Sequence, residues 1–438
     1  MAQTVGSTSG GYPSKPPSNA PRLDTASPFS LMTRVLDKQS TRRRKVKDPS
    51  NPADAAYLRA MHPDFDELMG AADVDYRTMA HTDVKFADKF RIPPLVEPSR
   101  TFQEHSNSVD AVCWGPEVGQ FVSASHDRTL KVWEARSGKC LKTLTGHSAG
   151  IYHCAVSTTK RHLLSCGSGE GDNLLLWEMP QGRVAAKLSG HSKAVHHVRF
   201  SADGRQATSV DQEGSIVLND LSTAKPILQR SVHFGVVHCS AYCLEDPQLL
   251  CTAGHDGQIH LTDLREAGKQ PFWSSSSMAA NCARPAACLS IPSPHDGFAV
   301  YGVEFPDARN LISCGADQKA KRWDLRMSPW RPSNYGEFLG HSTGIRAITL
   351  SPDRRFLVTG CEDGSCRVWP KDGRSQRTPA SPAGHVPALR TLSGHVGLVS
   401  GCAWQEDEAG RVASVLSSSW DQKVQLFEIP LSELTTSK

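Results

Sequence analysis

Serine, histidine and aspartate recur together along this chain, and such a trio can activate a nucleophile. His105, Ser123 and Asp127 form one set, and His295, Ser313 and Asp317 repeat its spacing. His341, Thr359 and Asp363 repeat it again with threonine as the hydroxyl. A tryptophan follows each acid by six positions, at Trp133, Trp323 and Trp369, so an acid and an aromatic lining a ligand site is a second chemistry for the same residues. His196, His197 and His238 suggest a third, a metal centre, but no local ligand spacing accompanies them. No Gly-x-Ser-x-Gly nucleophile elbow, His-Glu-x-x-His motif or phosphate-binding glycine loop is expected.

Repetition decides between these chemistries. The acid before each apolar alternation falls at Asp127, Glu213, Asp256, Asp317, Asp363 and Asp421. From 127 to 213 is 86 residues, twice the 43 that separate 213 from 256, and Trp177 marks the unit between. Each of the resulting seven units begins with a histidine: His105, His147, His191, His233, His295, His341 and His395. A hydroxyl stands four residues before the acid at Ser123, Ser209, Thr252, Ser313, Thr359 and Ser417. Between these anchors run short apolar alternations such as "VDAVCW", "QFVSAS" and "LKVWEA". They predict strands of about five residues, four to a unit, which is the pattern of a propeller blade.

With Gly-His at one end and Trp-Asp or Trp-Glu at the other, the units over 99–430 resemble WD repeats. The resemblance implies an all-β fold: a seven-bladed β-propeller of WD repeats over 98–430, with a disordered or partly helical N-terminal extension. It also implies a hydrogen-bonded tetrad in each blade. The tetrads carry over to His105, Ser123, Asp127 and Trp133, to His295, Ser313, Asp317 and Trp323, and to His341, Thr359, Asp363 and Trp369. In the last of these, Asp363 is expected to be the shared acceptor of His341 and Trp369. Asn219 and Thr262 replace the tryptophan in the third and fourth units, and Phe427 does so in the seventh. The third unit is expected to use Glu213 as its acid, and the second Asp172 or Glu170. On this reading the Ser–His–Asp sets are framework, the protein is not an enzyme, and no catalytic residue, metal or cofactor is expected.

WD-repeat propellers act as interaction platforms, and peptides commonly dock on the face bearing the Gly-His loops. Five residues after each histidine, where the inner strand begins, lie Asp110, Tyr152, His196, His238, Arg346 and Ser400; Tyr301 is the equivalent in the fifth unit. Beside them, before the acid, lie His126, His255, Glu362 and Trp420. Aromatic residues and arginine suit interface hot spots, so this ring is the candidate site for other proteins or peptides. Insertions at 269–285, 327–336 and 371–387 decorate the opposite face. The end of "LISCGADQKAKRWDLR" (311–326) resembles the Trp-Asp-x-Arg box of substrate receptors of cullin–RING ubiquitin ligases. There the arginine, here Arg326, contacts the adaptor. Scaffold of a multiprotein complex is therefore one expectation, and ubiquitin-ligase substrate receptor is the alternative.

The bulk numbers agree with an interaction protein. Apolar content is 38% and no run approaches the ~20 apolar residues that span a bilayer, so no membrane association is expected. Thirteen cysteines without CxxC pairs predict reduced thiols and a cytoplasmic or nuclear setting. Residues 1–55 hold nine Lys/Arg and four Asp/Glu, a net of +5 in a chain of net +4. The propeller is thus nearly neutral, and direct nucleic-acid binding is not expected beyond the basic tail. Residues 1–52 are rich in Ser and Pro and predict disorder. Their run at 42–47 resembles a nuclear-localisation signal, against a merely solvated tail. Short helices and linker are expected over 53–97, the outer strand of the last blade near 99–104, and a tail at 431–438.

Overall fold

A computed structural model describes residues 93–115, 117–267, 288–291, 293–325, 333–372, 385–407 and 409–435. The expectations for the basic tail, its run at 42–47, the helices over 53–69 and Arg326 lie outside the described residues, as do most of the three insertions.

Seven sheets, each with four antiparallel strands and two with an added parallel fifth, form the fold. The first is typical: Val109–Trp114, Gln120–Ser125, Thr129–Glu134 and Cys140–Thr145, from the centre outward. The innermost strands contact one another in a closed ring, Val109–Trp114 meeting Val399–Glu406 of the seventh sheet. The result is a seven-bladed β-propeller. The second strand of each blade is covered by neighbouring blades on both faces, and "QFVSAS" is buried over Phe121–Ser125. Continuous apolar runs with small hydroxyls follow from that double burial. Outer strands such as Cys140–Thr145 are mostly exposed.

An unpaired edge is a liability for a sheet, and the chain covers several of its own. Arg100–Phe102 pairs antiparallel with Val424–Pro430, so the N-terminal side supplies the outer strand of the seventh blade. Leu95–Val96 adds a fifth, parallel strand outside Arg390–Ser393 of the sixth blade. His385–Val386, at the end of the third insertion, reaches back to pair parallel with Ser333–Phe338 of the fifth. Residues 431–435 are a short helix where a tail is expected, because Leu431 and Leu434 bury themselves with Trp404, Phe427 and Ile429. Among the described residues no helix is long and apolar enough to cross a membrane.

Candidate partner-binding face

The tetrads hold the loops that carry the face. In the first blade Trp133 Nε1 donates to Ser123 Oγ at 2.8 Å. His105 Nε2 lies 2.7 Å from the same oxygen, and its Nδ1 lies 2.7 Å from Asp127 Oδ2. One assignment satisfies every group: indole N–H to serine oxygen, serine O–H to Nε2, Nδ1–H to carboxylate. The fifth blade repeats it through Ser313, at 2.8 Å from Trp323 and 2.7 Å from His295, with Asp317 2.7 Å from Nδ1. The hydroxyl, not the acid, is thus the acceptor of the tryptophan. Asp363 departs from expectation for the same reason. Trp369 donates to Thr359 Oγ1 at 2.8 Å, and Asp363 Oδ2 lies 3.8 Å from His341 Nδ1.

Two further blades differ from the sequence reading. In the third, His191 Nδ1 meets Asp211 at 2.8 Å, while Glu213 is exposed. Asp211 also caps the turn, accepting from the backbone N–H of Glu213 and Ser215. In the second, Ser165 is the hydroxyl, 2.7 Å from Trp177 and 2.6 Å from His147. Asp172 is its acid, but it accepts from Ser148 rather than from His147. Counting 18 residues forward from His147, instead of back from the acid, locates Ser165.

All seven hydroxyls, Ser123, Ser165, Ser209, Thr252, Ser313, Thr359 and Ser417, are 0% exposed, so none can attack a substrate. Residues 146–150 and 340–344 do match Gly-x-Ser-x-Gly by letter. Each leads into a strand rather than a helix, and Ser148 and Ser342 donate to Asp172 and Asp363.

The face itself is built by β-bulges. In every blade the pairing of the two inner strands shifts at an equivalent residue near the start of the innermost strand, Asp110, Tyr152, His196, His238, Tyr301, Arg346 and Ser400, and the fifth blade shifts again between Glu304 and Asp307. A bulge re-aims the extra residue and twists the strand locally. These are the seven positions found by counting from the histidines, and the structure brings them together around the central channel, a cavity of about 490 Å³. The second set joins them. Trp420 Nε1 donates to Asp110 Oδ1 at 2.8 Å, and His126 Nε2 lies 2.7 Å from Asp110 Oδ2. The His126 ring meets Tyr152 edge-on at 5.2 Å between centroids, and Tyr152 stacks on His196 at 4.7 Å. His196 leads to His238, which touches both His255 and Tyr301. Arg346 lies 4.0 Å over the Tyr301 ring and 2.6 Å from Glu362. Ser400 instead turns back to the carbonyl of Val109.

The ring mixes neutral and charged groups. The hydrogen bond to Asp110 raises His126 above the ordinary histidine value against the opposing effect of burial. Burial lowers His196, and it pushes His238 down to about 3 with help from the charges of His196 and Arg346. The mouth therefore offers aromatic faces, neutral imidazoles, the Asp110–His126 hydrogen-bonded pair and the Arg346–Glu362 ion pair.

Phe234 and Val396, each 78% exposed, occupy the position after the loop histidine, where Ser106 stands in the first blade. Sequence reasoning missed them. Their backbone N–H groups donate to Asp256 and Asp421, as that of Ser106 does to Asp127, which leaves the side chains outside. The visible signal was an apolar residue where four other units have serine.

The family model "WD domain, G-beta repeat" matches residues 96–134, 138–178, 182–220, 286–324, 333–370 and 387–428. The chain belongs to the WD-repeat family. The seventh WD repeat, which that model leaves unmatched, is the fourth blade, where Thr262 replaces the tryptophan. Yet its four strands are complete, with Ser240, Thr252 and Thr262 buried in them. Among curated WD-repeat relatives, a denticleless protein homolog of Gallus gallus is 24% identical over 80% of this chain and 44% of its own length. A guanine nucleotide-binding protein subunit beta of Oryza sativa subsp. japonica is 24% identical over 67% of this chain and 62% of its own. The chain thus spans under half the length of the denticleless relative and about three-fifths of the subunit beta. A protein-interaction role is what WD-repeat membership supports.

Proposed function

We propose that the protein is a non-catalytic scaffold that holds a peptide segment of a partner across the bulge ring. One observation carries this: seven bulges at equivalent places deliver side chains to one channel mouth, and ten of the residues there connect into a continuous chain of contacts. A fold that needed only stability would not require aromatic and charged groups at the mouth. The subunit beta relative is by name a component of an assembly, which agrees with this reading.

The test begins with affinity purification and mass spectrometry, followed by titration of the purified partner. Arg346→Glu and Trp420→Ala should each weaken binding by ~2 kcal/mol or more, the hot-spot scale. Arg346 has a side chain 35% exposed and Trp420 is 52% exposed, so the unfolding midpoint should barely move. Normal binding by both, with loss on deleting residues 373–384, would place the partner on the opposite face.

The alternative rests on residues 323–326. Trp323 and Asp324 end the strand Ala320–Asp324, so the motif follows directly from a fixed blade. A cullin adaptor recovered with wild type and lost with Arg326→Ala would make substrate reception the function. The same partner set from both proteins would exclude it.

A further inference from the structure

The sixth blade departs from the others at its carboxylate. In the first, third, fourth, fifth and seventh blades, histidine Nδ1 lies 2.7–3.0 Å from an aspartate oxygen. His341 Nδ1 stands 3.8 Å from Asp363 Oδ2 and has no hydrogen-bond partner among the described residues, although the side chain is wholly buried. Its Nε2 is already engaged by Thr359. Such a group is costly to leave unmet, at ~1–3 kcal/mol. Beside it lies Cys361, two residues before the acid, 0% exposed. The equivalent residue is Ser125 in the first blade and Gly315 in the fifth. The imidazole nitrogen, the thiol sulfur and a carboxylate oxygen all lie within 4.8 Å of one another.

We infer that His341, Cys361 and Asp363 bind a thiophilic divalent cation, with Zn²⁺ the best chemical match. Ligand bonds of ~2.0–2.3 Å in a tetrahedral site put neighbouring donor atoms roughly 3.3–3.6 Å apart. The 3.8 Å between Nδ1 and Oδ2 is too long for a hydrogen bond and within a few tenths of that spacing. One nitrogen, one sulfur and one oxygen donor leave a fourth position for water, with Ser342 Oγ near at 3.1 Å from Asp363 Oδ2. For Nδ1 to ligate, the proton sits on Nε2 and is donated to Thr359 Oγ1, whose two lone pairs also accept from Trp369. The Cys361 thiol donates to the Thr343 carbonyl at 3.3 Å, and metal binding displaces that proton.

Two other blades show why the set is particular to the sixth. His147 in the second also has an Nδ1 without a partner, but only an aspartate stands beside it and no thiol completes a set. His233, Asp256 and His260 in the fourth also cluster, but there Nδ1 already contacts both Asp256 oxygens at 3.0 and 3.1 Å. In the sixth, Glu362 lies between two of the proposed ligands and pairs with Arg346. The ion would therefore pin the turn that presents Glu362 to the bulge ring. The metal site itself does not depend on what the ring binds.

Full-length protein treated with a chelator and then titrated with CoCl₂ tests the site. One equivalent should produce a thiolate-to-cobalt charge-transfer band. Cys361→Ser, which places the first blade's residue in the sixth, should abolish it and weaken Zn²⁺ binding more than ~10-fold. Cys140→Ser, a thiol on an outer strand, should leave it unchanged. Zn²⁺ should also raise the Tm of wild type and not that of Cys361→Ser. Absence of the band in wild type, or a band of full intensity in folded Cys361→Ser, would overturn the assignment. Should Cys361→Ser fail to fold by circular dichroism, Asp363→Asn takes its place: an unchanged Zn²⁺ affinity there would overturn it equally.

Discussion

Lowering the pH from 7 to 5 removes several kcal/mol of stability before the carboxylates titrate. Burial holds six histidines below the ordinary value, His147, His153, His196, His197, His238 and His341, and three of them set the scale. Burial, with the charge of Arg199, pushes His153 down to about 3. Burial and neighbouring positive groups take His238 to about 3, and burial takes His147 to about 4. In each case the folded protein holds the imidazole neutral while the unfolded chain binds a proton near the ordinary value of ~6.5. Their contribution is therefore complete above pH 6.5 and is lost as pH falls toward the folded values. Each contributes about 2 kcal/mol of loss by pH 5 at ~1.4 kcal/mol per unit, so together about 6 kcal/mol, comparable with the whole stability of many domains. Asp127, Asp211, Asp256, Asp317 and Asp421 act later. Burial raises them, but the histidine bond, with backbone donors or, at Asp317, Lys321, outweighs it and holds them below the usual carboxylate range. Their contribution is present above pH ~4 and lost as pH falls through the folded values. Urea midpoints at pH 7.5, 6 and 5 measure the effect. His153→Phe, which cannot bind a proton, should remove about 2 kcal/mol of the drop. Equal midpoints at all three pH values would show that these imidazoles are solvated and not buried.

How much of this was legible beforehand depends on what local sequence encodes. Histidine, hydroxyl and acid recur because each blade must satisfy the same buried groups, so seven units and their strands could be counted. The bulge sits at one offset from the histidine in six blades, so Asp110, Tyr152, His196, His238, Arg346 and Ser400 could be placed from spacing alone. Tyr301, one residue later, needed the extra residue in its loop to be noticed. Choices between chemically similar partners a few ångströms apart were not legible. Asp211 and Glu213 are both acids in one turn, and only the path of the strand end brings Asp211 to His191. Asp363 carries the same spacing as Asp127, yet a shift of about an ångström leaves His341 without it. Exposed Phe234 and Val396 were hidden because an apolar residue after a strand-like run reads as core until the loop is seen to point outward.

Ser313→Ala should destabilise the propeller by about 2–5 kcal/mol, although it removes a single oxygen atom. Ser313 Oγ is 0% exposed and serves two buried groups, accepting from Trp323 and donating toward His295 Nε2. Alanine fits the space but meets neither, and each stranded group costs ~1–3 kcal/mol. Water cannot repair the loss, because Trp323 and His295 lie within the blade at 7% and 0% exposure. The third blade supplies the control. Asn219 stands there in place of tryptophan and turns its amide to the carbonyl of Ser189, so Ser209 serves only His191 and, at 3.4 Å, the carbonyl of Val217. Ser209→Ala should therefore cost about 1–3 kcal/mol, and less than Ser313→Ala. Chemical denaturation of both variants at pH 7.5 compares them. Equal losses would mean that the indole N–H contributes nothing through its serine. A larger loss for Ser209→Ala would mean that the hydroxyl is not the hub of these networks.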